Sequence, residues 1–187
     1  MSKISMVFLI LILVTSSLNA QEEPPNKTFR FKAFSVGAGL YRADYREKNP
    51  NDSFEGDQTG ISGFVGISFY LKKHILSAQA LGGFQPNLIF AEKINNESFY
   101  SFNLLYGREL EVKKWFKIEG HLGLGYYVQE RRISGLLQKE VELGVPANLK
   151  FSFYIRKYIG LGFAPQVIFN SLNNTYTGNI FFHVKLP

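Results

Sequence analysis

The sequence predicts an all-β fold in which eight antiparallel strands close into an up-and-down barrel. The first observation is a set of basic pairs between apolar stretches, at Lys72–Lys73, Lys113–Lys114 and Arg156–Lys157, a pattern typical of tight hairpin turns. Successive pairs are roughly 40 residues apart, which leaves room for two long strands and one loop. The second observation is a period-two alternation of apolar with small or polar residues between the turns, as expected of strands with two different faces.

The amino terminus predicts an export signal. Lys3, the apolar run 4–14 and the small residues up to Ala20 form the three regions of a secretory signal peptide. We expect cleavage near Ala20, which leaves a short leader, 21–27, and a barrel domain, 28–187. The apolar run is about half the roughly 20 residues needed to cross a bilayer, so a retained transmembrane helix is the weaker alternative.

Strand positions follow from the apolar runs between the turns and the longer polar segments. The predicted strands are 28–45, 59–71, 74–85, 97–111, 115–129, 137–153, 158–169 and 175–186. Within the first strand, Phe29 and Phe31 have the opposite parity to Val36, which predicts a β-bulge near Ala33 to Phe34. Short turns at one end and longer loops at the other are typical of a barrel that crosses a membrane.

Composition indicates which face of the predicted barrel points outward. The less apolar face of the seventh strand carries no charge; it consists of Tyr158, Gly160, Gly162, Ala164, Gln166 and Ile168. A water-exposed surface ordinarily carries many charges, whereas a narrow barrel interior needs small side chains. The apolar face, with Leu122 and Leu124, is therefore expected to face lipid, and a soluble lipocalin-like barrel is the alternative.

Arg108 falls on this apolar face, so either it snorkels to the interface or the register there shifts by one.

Composition excludes several function classes. The net charge is +6 and the pI about 9.4, but the basic residues are scattered in pairs, which argues against nucleic-acid binding. The absence of cysteine excludes disulfides, thiolate metal sites and a lipoprotein anchor. No two histidines share a ligand-compatible spacing, so we expect no metal and no other cofactor.

A polar cluster is predicted inside the barrel. Its members share the inward face of the fourth, fifth, sixth and eighth strands: Glu109, Lys117, Glu119, His121, Glu140, Glu142, Lys150, His183 and Lys185. A symmetric turn would place Glu109 directly opposite Lys117. The cluster is interpreted as a proton path or catalytic site, or more simply as compensated ion pairs that fill the lumen, because buried charges must be paired.

Basic residues also gather in two loops opposite the turns: Arg42, Arg46, Lys48, Arg131 and Arg132. Their guanidinium and ammonium groups are suited to charge-assisted hydrogen bonds with lipopolysaccharide phosphates. The simpler interpretation is that they keep the loops soluble.

The strand count, short turns, longer loops and alternating last strand resemble the small bacterial outer-membrane barrels of the OmpA, OmpX and PagL type. The resemblance covers residues 28–187 and implies location in the outer membrane and insertion by the barrel-assembly machinery, which reads an alternating last strand. Ile180, Phe182, Val184 and Leu186 fit that strand, while the terminal Pro187 departs from the usual aromatic ending.

The expected function is non-enzymatic: structural, adhesive or ligand-binding through the external loops, with the oligomeric state left open. A lipid A acyl hydrolase or transferase is the alternative from another class. A serine nucleophile needs a histidine base, but none of His74, His121 and His183 lies in a His-x-Ser pattern like that of the lipid A deacylases.

Overall fold

The computed structural model describes residues 29–45, 58–86, 97–133, 136–155 and 158–185. The predicted signal peptide and leader lie outside these residues. The eight strands are β1 (Phe29–Tyr45), β2 (Gln58–Leu71), β3 (His74–Phe84), β4 (Glu97–Lys113), β5 (Phe116–Ile133), β6 (Leu136–Tyr154), β7 (Ile159–Phe169) and β8 (Asn173–Val184). In this part of the chain, no helix has the length and hydropathy needed to cross a membrane.

The strands form one closed antiparallel sheet. Each pairs with its neighbour in sequence, and β8 closes the ring on β1, from Phe34 opposite Val184 to Tyr45 opposite Asn173. The predicted all-β up-and-down barrel is therefore confirmed. Closure gives every strand two neighbours in the ring, so the sheet has no edge strand.

Two register shifts alter which residues face inward. In β1 the shift lies between Phe31 and Ala33, one residue before the predicted position, and both Lys32 and Ala33 are buried. In β4 a second shift lies between Glu111 and Lys113, next to the β4–β5 turn. Each adds one residue to one strand, so the alternation of faces is offset across it.

The apolar stripes point outward all around the barrel, as predicted. Leu124 is 68% exposed and Leu143 77% exposed, and every strand contributes at least one exposed large hydrophobic residue. Arg108 keeps the outward parity; it pairs with His74 at the turn end of β3, so the register is not shifted there. The inward face instead carries small, polar and charged residues together with a cluster of buried aromatic and aliphatic side chains.

The outer part of β6 extends beyond its neighbour β7. The first β6–β7 pair is Val145 with Phe169, whereas β6 pairs with β5 from Leu136 onwards. Within the described residues, the β7 side of β6 thus has no strand partner before Val145. The β5–β6 hairpin consequently projects past the rim of the barrel.

Candidate functional site

An ion-pair network fills the turn end of the lumen. Lys32 Nζ lies 2.7 Å from Glu109 Oε2 and 2.6 Å from Glu119 Oε1. Lys117 Nζ lies 2.6 Å from Glu109 Oε1, and Tyr70 donates its hydroxyl proton to Glu109 Oε2 over 2.9 Å. His121 Nε2 lies 3.1 Å from Glu119 Oε2. All four oxygens of the two glutamates are therefore engaged, as buried carboxylates require.

The pairing of Glu109 with Lys117 differs in geometry from the prediction. Lys117 lies opposite Glu111, and Glu109 lies opposite Glu119, so the expectation that Glu109 is directly opposite Lys117 is wrong. The reason is the register shift between Glu111 and Lys113, which makes the turn asymmetric. The ion pair forms diagonally, and Lys117 also contacts Glu111 Oε2 at 2.7 Å.

Two members of the network were not predicted from the sequence. Lys32 is only 3% exposed and holds both glutamates, although the alternation around it did not single it out. Its inward direction follows from the β1 bulge, which the parity break had indicated. Tyr70 is the second, and its hydroxyl reaches Glu109 from β2.

His121 and His183 are packed against glycines of neighbouring strands. A Cβ at Gly107 would lie 2.5 Å from His121 Nδ1, and a Cβ at Gly160 would lie 2.5 Å from His183 Nε2. Neither of these ring nitrogens has a hydrogen-bond partner within the described structure. The imidazoles therefore fill space that only glycine leaves open.

Replacing Gly107 with Ala is expected to lower the free energy of unfolding by about 1–3 kcal/mol through overpacking. The added methyl would lie 2.5 Å from both the Gly120 carbonyl oxygen and the His121 ring. Urea unfolding of the protein in detergent measures the effect. Gly120→Ala is the matched control, because its nearest neighbour is the Leu149 side chain at 3.7 Å. Equal effects of the two substitutions would contradict the packing role of Gly107.

The other predicted lumen residues fall into two groups. Lys150 and His183 are buried in the lumen, and the Lys185 ammonium lies 3.9 Å from the centroid of the Tyr154 ring. Glu140 is exposed and Glu142 half-buried, because both lie on the part of β6 that extends past the rim. These two glutamates therefore do not join the network.

The rest of the lumen is closed by two further layers. An apolar layer lies in the middle, with Phe64 and Phe181 rings 6.2 Å apart. Towards the outer end, Tyr127 Oη lies 3.0 Å from Thr175 Oγ1, and Asn173 Nδ2 donates to Gln129 Oε1 over 2.8 Å. All four of these outer side chains are buried.

The predicted phosphate-binding residues that the structure describes differ in their surroundings. Arg42 is 54% exposed on the outward face and bonds Asp44 Oδ1 at 2.9 Å. Arg131 forms an ion pair with Glu97, and its Nε lies 3.6 Å from Glu97 Oε2. Arg132 belongs to β5, while Arg46 and Lys48 lie outside the described residues. Of this set, Arg42 has the exposure that a lipid phosphate requires.

Neither His74 nor His121 is paired with a serine in the described structure. His74 contacts the Tyr106 hydroxyl on the outer face, and the His121 partner is Glu119 rather than a serine. Within the described ranges, no group of three or more His, Asp or Glu side chains is arranged to hold a metal ion.

Comparison with solved structures identifies the fold. The chain matches Neisserial surface protein A (TM-score 0.68, 10% identity, covering 86% of this chain and 98% of that one). It also matches the attachment invasion locus protein Ail of Yersinia pestis (0.58, 10%, 84% and 100%) and the N-terminal β-barrel domain of Pseudomonas aeruginosa OprF (0.54, 8%, 84% and 100%). No protein-family model and no curated protein matches the sequence. The chain thus has the fold of the small eight-stranded outer-membrane barrels.

Proposed function

We propose that this chain is a non-enzymatic integral protein of the bacterial outer membrane that acts through its outer end. The supporting observation is the separation of its two surfaces. The outward face is apolar around the whole barrel, and the lumen is filled by ion pairs, rings and amides. An unbroken apolar exterior is unfavourable in water and favourable in hydrocarbon.

The fold comparisons support the same location, because the matched proteins include surface and outer-membrane barrels. The alternating strand β8 supports insertion by the barrel-assembly machinery, although Leu186 and Pro187 lie outside the described residues. The buried positions of His121 and His183 support a non-enzymatic role, because lipid acyl chains outside the barrel do not reach them.

Membrane location is tested by fractionation and gel migration. The mature chain is expected to stay in the outer-membrane fraction after alkaline washing, and to migrate differently on gels before and after boiling, because a closed barrel resists detergent. Recovery of the folded chain in the soluble fraction would support the lipocalin-like alternative instead. Loss of lipid A acyl chains that depends on His121 or His183 would contradict the non-enzymatic proposal.

We further propose that the outer end contacts lipid phosphates through Arg42 and Lys139. Both are exposed towards the outer end of their strands, and each lies near an outward tyrosine: Arg42 pairs with Tyr176, and Lys139 Nζ lies 5.5 Å from the centroid of the Tyr100 ring. Tyrosine and basic residues are favoured together at membrane interfaces, where the ring contacts the acyl boundary and the cation contacts phosphate.

The double substitution R42Q/K139Q is expected to weaken binding of bis-phosphorylated lipid A about tenfold or more, since each cation near an anionic surface contributes about 1 kcal/mol. Binding is measured in neutral detergent micelles. The matched control is K114Q, which removes an exposed cation at the opposite, turn end. If K114Q weakens lipid A binding to a similar extent, the effect is unspecific electrostatics and contradicts the proposal. The same holds if R42Q/K139Q weakens binding of dephosphorylated lipid A equally.

A further inference from the structure

One buried cation lies outside the ion-pair network. Lys150 is 5% exposed, yet no carboxylate oxygen of the described residues lies within 4.0 Å of its Nζ. Glu119 is its cross-strand neighbour, but both Glu119 oxygens are taken, one by Lys32 and one by His121. The cross-strand carboxylate thus already binds two other groups and forms no ion pair with this ammonium.

The Lys150 side chain reaches across the lumen towards β2, where its ammonium lies 5.9 Å from the centroid of the Phe64 ring. A ring face stabilises a cation much less than a full counter-charge does. An unpaired ammonium in a low-dielectric interior is strongly unfavourable. A counter-ion is the direct way to offset that cost.

The inward face of β2 is packed unequally on the two sides of the Phe64 ring. A Cβ added at the inward Gly37 would lie 2.5 Å from the Phe64 ring, so that level is filled. At Gly66, the next inward residue of β2 after Phe64, the nearest atom to an added Cβ is the Ala78 carbonyl oxygen at 3.4 Å, an ordinary contact. A methyl group added at Gly66 would therefore fit, whereas one added at Gly37 would clash with the ring that Lys150 approaches.

A second unpartnered donor lies on the neighbouring strand β3. Gln79 is the cross-strand partner of Gly66 and is 5% exposed. Its Oε1 accepts from Asn103 Nδ2 at 3.1 Å, whereas its Nε2 has no hydrogen-bond partner in the described structure. A buried donor without an acceptor and a buried cation without an ion pair are both groups that an anion can satisfy.

We propose that the lumen binds a small inorganic anion, of the size and charge of chloride, between the Lys150 ammonium and the Gln79 amide beside Gly66. The anion neutralises the cation that the two buried glutamates leave uncompensated. It accepts hydrogen bonds from both donors. A larger organic anion does not fit a lumen that is closed by the apolar layer and the outer amide network.

Unfolding equilibria in neutral detergent test the proposal, with Trp115 fluorescence as the signal. When sodium gluconate is replaced by 0.3 M sodium chloride at about equal ionic strength, the wild-type unfolding constant is expected to fall about tenfold. This corresponds to a dissociation constant for chloride of about 30 mM. K150M should not respond to chloride, and in gluconate it should be at least as stable as the wild type, because it removes an unpaired charge and keeps the volume. K114M, with an exposed cation removed, should respond like the wild type.

Crystals soaked in sodium bromide provide a test that does not depend on folding of the variants. An anomalous peak is expected in the lumen between Lys150 and Gln79 of the wild type, and it should be absent from K150M and weaker in G66A. A wild-type lumen that holds only water, or equal chloride responses of the wild type and K150M, would overturn the proposal.

Discussion

Replacing Lys32 with Met is expected to lower the free energy of unfolding by about 3–5 kcal/mol, or to prevent folding, since it leaves a buried charge without its partner. Lys32 lies 2.7 Å from Glu109 and 2.6 Å from Glu119, which face each other across β4 and β5. Without the ammonium between them, two carboxylates repel each other inside a closed cylinder. Urea titration of the refolded barrel in dodecyl maltoside measures the change.

Two variants separate charge compensation from packing. K32M/E119Q removes one charge of each sign and should recover part of the lost stability. K114M, at an exposed turn position, should stay within about 0.5 kcal/mol of the wild type, as is usual for surface substitutions. If the double variant is no more stable than K32M, charge compensation is not the role of Lys32.

Introducing a lysine on the outward apolar face is expected to destabilise the protein in a bilayer by about 2–4 kcal/mol where the position lies near the midplane. Leu122 is the position to test, because it is an exposed residue of β5 between the aromatic turn end and the outer rim. The measurement is unfolding of L122K from phosphocholine vesicles.

The control for this experiment is a lysine at Leu137, which is 62% exposed at the outer end of β6. L137K should cost about 0–1 kcal/mol, because the penalty falls towards the interface. The opposite result is an L122K protein that is more soluble than the wild type and stays folded without lipid. It would show that water, not hydrocarbon, covers the outward face.

The fold was predictable because its signals are local. Strand alternation, basic pairs at turns and the parity break in β1 can each be read within a few residues, and the closed barrel agrees with them. The direction of the faces required one further argument, the absence of charge on the small-residue face of β7. The exposed Leu124 and Leu143 agree with it.

The interior network was only partly predictable, because it depends on distant register. Lys32 meets Glu109 across 77 positions of sequence, and a one-residue bulge decides whether it points inward. The Glu109–Lys117 ion pair differs from its predicted geometry for a similar reason, because a register shift lies beside the β4–β5 turn. Glu140 was assigned to the lumen by parity alone, but parity does not say where along a strand the cylinder ends.

The unequal lengths of β6 and β7 have a consequence for self-association. An exposed strand flank offers unpaired amide and carbonyl groups to any extended chain, and proteins commonly guard such flanks with charge against polymerisation. Here Lys139, Glu140 and Glu142 alternate with Val141 along the projecting segment. Charges at these positions disfavour the addition of a strand from a second copy of the chain.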